Sequence, residues 1–143
     1  MEVASSVPSS DPTQQRLTDL RNGLLRLHKI LLDSERDCYE HEIAKISSVN
    51  EFLGLVIGDP FFAWLHELSQ LIVLIDETQE GKKPPPNAAD ADRLVAQTKT
   101  LLKPAEDGVG FAKRYDQAMQ RDPDVIIAHG QMARLLVKLA AAG

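Results

Sequence analysis

The stretch Asp59-Pro60-Phe61-Phe62-Ala63-Trp64-Leu65 decides the fold class, because it joins a helix-start signal to a concentration of aromatic side chains. Aspartate is a favoured N-cap residue, and proline fits the first turn of a helix, where its missing N–H costs little. We therefore predict a helix from Pro60 to about Glu80. Its apolar residues recur at helical spacing and predict one broad buried face: Phe61, Trp64, Leu65, Leu68, Leu71, Ile72 and Ile75. This helix is expected to be the most buried element.

A second start signal, Asp11-Pro12, precedes a long stretch without proline that runs from Thr13 to Gly58. Asp11 is the predicted cap, and Gln14 is placed to reach back as a capping-box partner. Leucines then follow a three-four spacing that predicts one buried helix face: Leu17, Leu20, Leu24, Leu27 and Leu31. The stripe fades beyond Leu32, and we interpret the remainder as a solvated or interface-seeking extension of this helix.

Three later segments carry similar helix signals. Ser48-Val49-Asn50-Glu51 is a capping box in front of a short apolar helix. Asn87 with Asp90 starts another helix, and Asp122-Pro123 starts the last one. Between these two, Pro104 predicts either a kink or a break, because proline biases the preceding residue out of the α region.

The whole pattern predicts an all-α fold. The prolines of the segment 81–86 predict a loop, since consecutive prolines favour extended backbone. No convincing period-two run bounded by turn residues appears. We predict a four-helix-type bundle with an additional short helix, as a single domain over residues 12–143 that follows a flexible lead-in at residues 1–11.

Composition excludes several classes of protein. A chain of 143 residues can bury a core without disulfides or structural zinc. Cys38 is the only cysteine, which rules out an intrachain disulfide and fits the reducing cytoplasm. A net charge of −5 argues against general binding to nucleic acid. The apolar runs fall short of the roughly 20 residues that cross a bilayer, so we expect no membrane span.

A metal site is the first chemical hypothesis. His28, Glu35, Cys38 and Glu42 follow one another at spacings of seven, three and four, so they share a stripe of the first helix. Di-iron bundles, however, need Glu-x-x-His on two helices, and the chain contains no such motif. His28 and Asp33 have a His-x4-Asp spacing seen in hemerythrin-like proteins, but the accompanying histidine motifs are missing. The alternative is a histidine satisfied by hydrogen bonds and solvated carboxylates.

The sequence contains no recognisable catalytic motif. His66 stands beside Glu67, but neighbouring side chains on a helix point about 100° apart and do not form a dyad by themselves. Acidic neighbours around Cys38 disfavour a thiolate, which favours a quiet thiol over a reactive one. No nucleophile elbow and no phosphate-binding glycine loop is present. We therefore assign no catalytic residue and no cofactor.

The aromatic helix suggests a ligand-binding or interface surface, for which Phe61, Phe62, Trp64 and His66 are the candidates. Core packing is the alternative. Phe61 and Phe62 point in different directions on a helix, so burying both requires a wide core or a second chain. The first helix, at about 35 residues, would span roughly 50 Å against about 30 Å for the aromatic helix. A self-complementary dimer would cover this excess.

Three segments together resemble small uncharacterised bacterial helical-bundle proteins, over about the first half of the chain. They are Leu27-His28-Lys29, the stretch from Asp59 to Leu65, and Asp76-Glu77. The resemblance implies a helical fold and a bacterial source. It carries no activity and no functional residue.

These observations lead to three functional hypotheses. The favoured one is a cytoplasmic, non-enzymatic bundle that acts as a homodimer or as an adaptor for another protein, with no nucleic-acid or membrane partner. The second is a metal- or small-ligand-binding bundle that uses His28, Glu35 and His66. The third is a small enzyme.

Overall fold

The computed structural model describes residues 11–81 and 84–142, which form helices and no strand. The α-helices are α1 (Pro12–Glu42), α2 (Val49–Gly58), α3 (His66–Glu80), α4 (Ala88–Leu101), α5 (Gly110–Arg121) and α6 (Pro123–Ala142). The predicted all-α class is confirmed. The finer prediction, a four-helix-type bundle with an additional short helix, is not confirmed. Apart from Asp11, the predicted lead-in at residues 1–11 lies outside the described residues.

Two of the predicted helix starts have the expected bonds. The Thr13 N–H donates to the Asp11 carboxylate at 3.0 Å at the start of α1. At the start of α4, Asn87 and Asp90 form a complete capping box, with both bonds at 2.9 Å. The prediction for Gln14 was wrong, because its side-chain amide reaches across to α3 and donates to the Gln79 carbonyl at 3.2 Å.

The segment Asp59–Leu65 does not start a helix at Pro60, and α3 begins only at His66. The Asp59 carboxylate accepts the Phe61 N–H at 2.8 Å and so closes a turn, which a 3-10 turn over Ala63–Leu65 follows. This geometry has a packing reason. The rings of Phe61 and Phe62 both contact Tyr39 of α1, with centroids 5.3 and 5.7 Å away, which a regular helix would not allow for neighbouring residues.

The core forms around α1. Its predicted leucine stripe is fully buried and packs against α3, α4 and α6: Leu17, Leu20, Leu24, Leu27 and Leu31. Gly23 lets α6 come close, since a Cβ there would lie 2.6 Å from Leu135 Cδ2. Arg16 of the same helix is also buried, and its guanidinium donates to Asp92 of α4 at 2.7 Å.

Pro104 separates two helices and does not bend one. Helix α4 ends at Leu101, and α5 begins at Gly110, which has a φ of 60° in the left-handed region that favours glycine. The Ala105 N–H donates to the Ala112 carbonyl at 3.2 Å and ties the connection to α5. Within the described part of the chain, no helix combines the length and the apolar character that crossing a bilayer requires.

Candidate functional site

Glu35, a predicted metal ligand, lies at the centre of a buried polar cluster. Only 1% of the residue is exposed, and both carboxylate oxygens are hydrogen-bonded. The Trp64 indole N–H donates to one oxygen at 3.1 Å, and the Arg121 guanidinium donates to the other at 2.7 Å. The structure thus joins Glu35 and Trp64, which the sequence analysis had assigned to two unrelated candidate sites.

Two arginines of α5 complete this cluster, and the sequence analysis missed both. Arg114 donates to Glu35 and to the Phe61 carbonyl, each at 3.3 Å. Arg121 also donates to the Ser34 hydroxyl at 3.1 Å. The two arginines stand seven residues apart and so share a helix face, which was the one signal available in the sequence. The cluster ties α1, the aromatic turn and α5 together, and its three donors leave Glu35 no role as an open ligand site.

The other predicted metal ligands do not join Glu35. His28 lies 3.0 Å from the hydroxyl of Ser69 on α3, and burial lowers the pKa of its imidazole. Cys38 donates to the Glu42 carboxylate at 3.2 Å. Burial and this hydrogen bond raise the pKa of the Cys38 thiol, which supports the interpretation as a quiet thiol. Among residues 11–81 and 84–142, no group of three or more potential ligands converges on a metal position.

The aromatic candidates are mostly enclosed by the chain itself. Phe62 is 0% exposed, and Trp64 is 8% exposed. The Trp64 ring packs against Phe111 at 5.2 Å between centroids, and the Arg114 guanidinium lies 5.8 Å from its centre. Packing accounts for Phe62 and Trp64, and their role in an interface stays a prediction. His66 is exposed, and its Nε2 lies 3.3 Å from the Val56 carbonyl of α2.

Helix α2 is attached to the rest of the chain through one side. The Phe52 ring packs edge-on against Phe62 at 5.8 Å, and the Arg36 guanidinium lies 4.9 Å from the Phe52 centroid. The predicted cap is present in modified form. Ser48 accepts the Glu51 N–H at 3.0 Å, but the Glu51 carboxylate accepts the N–H of Ser47 and not that of Ser48. These contacts reach the C-terminal part of α1 through Arg36, whereas Asp37, His41 and Glu42 remain exposed.

The opposite side of α2 is an uncovered apolar surface. No residue of this helix is buried, and Val49, Leu53 and Ile57 are 70%, 51% and 74% exposed. These three residues follow an i, i+4, i+8 spacing and form one ridge. Gly54 and Gly58 lie beside it, and a Cβ added to either would meet no atom within 4 Å. We call these five residues the α2 surface.

A shallow groove runs beside the α2 surface. It has a volume of about 480 Å³ and lies between α2 and α3. Val56 and Ile57 line one side, and His66, Gln70 and the half-exposed Val73 line the other. Ile57 belongs to both the ridge and the groove, so the two features form one continuous surface.

Comparison of the chain with protein-family models, with curated proteins and with solved structures finds no match.

Proposed function

We propose that this protein is a non-enzymatic association module that pairs with a second copy of itself through the α2 surface. The observation that carries the proposal is a ten-residue apolar helix in which no residue is buried. A predominantly apolar helix normally buries its apolar residues, and so short a helix gains little stability on its own. Contiguous exposed apolar patches of this kind mark interaction sites.

The shape of the surface favours a second copy over another partner. In a twofold dimer the same patch faces itself, so it must supply both a protruding and a receiving element. The α2 surface supplies the ridge, and the neighbouring α2–α3 groove supplies a place for the partner's ridge. Glu51 is the only charged residue of α2, so no charge directs this surface to a basic or an acidic partner.

The glycines of α2 support a helix-to-helix contact. Glycine in a helix interior costs about 1 kcal/mol relative to alanine, and neither packing nor a positive φ requires it at Gly54. A second helix that crosses α2 at Gly54 would use the missing side chain, because the two backbones could then approach closely.

The sequence predicted association through the aromatic residues and the end of α1, whereas the proposed contact is the α2 surface. Phe62 and Trp64 are covered by this chain's own side chains, whereas Val49, Leu53 and Ile57 of α2 are each more than half exposed. Within the proposal, α1, α3, α4 and α6 form a four-helix-type bundle, α5 packs against α6, and α2 is the additional short helix. The free Cys38 thiol is consistent with the cytoplasm as the site of this association.

Sedimentation equilibrium of the full chain tests the proposal. We expect a mass twice that of the 15.8 kDa monomer. The double variant Leu53→Glu/Ile57→Glu should sediment as a folded monomer, because it places two carboxylates in the middle of the contact. Val109→Glu/Ile127→Glu is the matched control, since these residues are 86% and 59% exposed and lie outside the α2 surface, and it should remain a dimer. A monomeric wild type, or a double variant that stays dimeric, would overturn the proposal.

A further inference from the structure

A second groove lies between α4 and α6. It shares no lining residue with the groove beside α2. Its volume of about 430 Å³ falls in the range of small-molecule sites. Val95 of α4 and Leu102, the residue after this helix, line one wall. Met132, Leu136 and the exposed Val137 of α6 line the other. We call it the α4–α6 groove. Its walls are apolar over most of their length.

The polar groups of the α4–α6 groove all carry N–H donors. Lys99, Lys103 and His129 line it, and among the described residues no carboxylate does. Neither lysine forms an ion pair with another described residue. This local excess of positive charge is unusual in a chain whose net charge is −5. The groove is therefore complementary to an anion that also carries an apolar part.

A partly buried hydrogen bond to Tyr115 favours one tautomer of the His129 imidazole. The Tyr115 hydroxyl lies 2.7 Å from His129 Nδ1. Burial raises the pKa of the Tyr115 phenol, so its O–H keeps its proton, and no other acceptor among the described residues bonds to it. When the phenol donates to Nδ1, the neutral imidazole carries its proton on Nε2. His129 is thereby held as a donor in a ring that lines the groove.

The polar side chains of the groove lie toward α5, with Lys99 one helical turn before Lys103 on the α4 side. Lys103 and His129 lie at the end near α5. Ala105, two residues after Lys103, donates its N–H to Ala112 of α5, and His129 is hydrogen-bonded to Tyr115 of α5. Further from α5 the lining residues are Val95, Leu136, Val137 and Ala140. A head group would meet donors at one end while its tail would run along apolar side chains.

We propose that the α4–α6 groove binds a small amphiphile with a single anionic head group, such as a carboxylate, and an unbranched apolar tail. Lys99 and Lys103 pair with the head group, and His129 donates a hydrogen bond to it. Lysines near the end of α4 also offset the helix dipole, but Lys103 lies beyond the last turn. A dipole role moreover gives no reason for the open apolar wall beside both lysines.

Isothermal titration calorimetry with the full chain tests the proposal, with sodium decanoate below its micelle concentration as the probe. Decanol and decyltrimethylammonium are the matched neutral and cationic probes. We expect decanoate to bind best. The Lys99→Gln/Lys103→Gln variant should weaken decanoate binding roughly tenfold and leave decanol unchanged. The control Lys45→Gln/Lys113→Gln makes the same change of charge outside the groove and should have no effect.

Ala133→Phe tests the location of binding, because Ala133 is an exposed residue that lines the groove. The added ring should abolish binding of both decanoate and decanol while the circular dichroism spectrum stays native. Equal affinity for all three probes, or unchanged binding by Ala133→Phe, would overturn the proposal. The proposal would also fail if the wild type were a dimer and Ala133→Phe a monomer. A second copy of the chain, and not a small amphiphile, would then cover this groove. Dimer loss in Leu53→Glu/Ile57→Glu alone leaves the groove proposal unaffected.

Discussion

Replacing Glu35 by alanine should cost about 3 kcal/mol of unfolding free energy, and the cost can be built from the contacts of its carboxylate. The Trp64 N–H would lose a charged acceptor inside the core, which costs about 1 to 3 kcal/mol. The two arginines add less, at most about 1 kcal/mol each, because each side chain is about a third exposed and can turn to water. The total lies at the low end of the range for a broken buried ion pair.

Urea unfolding followed by far-ultraviolet circular dichroism measures this cost. With a slope of about 2 kcal/mol per molar, the midpoint should fall by about 1.5 M. Trp64 is the only tryptophan, so its fluorescence reports on the same site, and its emission should shift to the red in Glu35→Ala. Glu35→Gln keeps an acceptor for Trp64 and should cost only about 1 kcal/mol.

A double-mutant cycle isolates the bond between Glu35 and Trp64. Trp64→Phe removes the donor, so Glu35→Ala should cost about 1.5 kcal/mol less in that background. The reasoning is refuted if Glu35→Ala lies within about 0.5 kcal/mol of the wild type. It is also refuted if Glu35→Gln costs as much as Glu35→Ala, since charge and not the indole bond would then dominate.

Three further predictions use the same urea assay. Gly23→Ala should lower the unfolding free energy by about 1 kcal/mol, because the new Cβ collides with Leu135. Gly54→Ala, at low protein concentration, should raise it by about 0.5 kcal/mol. Changes of the same sign in the two variants would contradict this prediction. Asn87→Ala removes the α4 cap and should cost about 1 kcal/mol; an unchanged midpoint would show that the cap is dispensable. Burial lowers the pKa of His129 below its ordinary 6.5. As the pH falls, the imidazole is therefore protonated in the unfolded chain before it is protonated in the folded protein. Stability should therefore fall as the pH drops below about 7 and level off below the folded-state pKa, and His129→Gln should flatten this slope; an identical slope would contradict the assignment.

The parts of the fold that depend on short spacings could be predicted from the sequence. The caps at Asp11 and Asn87 involve residues two or three positions apart, and the leucine stripe of α1 repeats every turn. The start of α3 could not be predicted in this way. Asp59-Pro60 is a sound start signal, but the packing of Phe61 and Phe62 on the distant Tyr39 favoured a turn at that position.

The contacts of the Glu35 cluster were beyond sequence reasoning for a different reason. Glu35 lies 29 residues from Trp64 and 86 from Arg121, so no spacing rule connects them. The charged stripe from His28 to Glu42 suggested a metal site because it shares one helix face. Tertiary contacts instead pair His28 with α3 and Glu35 with α5, while Cys38 bonds to Glu42 within α1.

The sequence by itself determined that this chain is helical and roughly where most of its helices begin, because caps and apolar periodicity act within one or two turns of backbone. Only the tertiary structure decided which apolar side chains are covered. The sequence left Trp64 either in the core or against a partner, and the structure encloses it with Phe111 and Arg114, whereas Leu53 and Ile57 are exposed on α2. The physical reason is that burial depends on which distant helix reaches a side chain, and hydrophobicity alone does not contain that information.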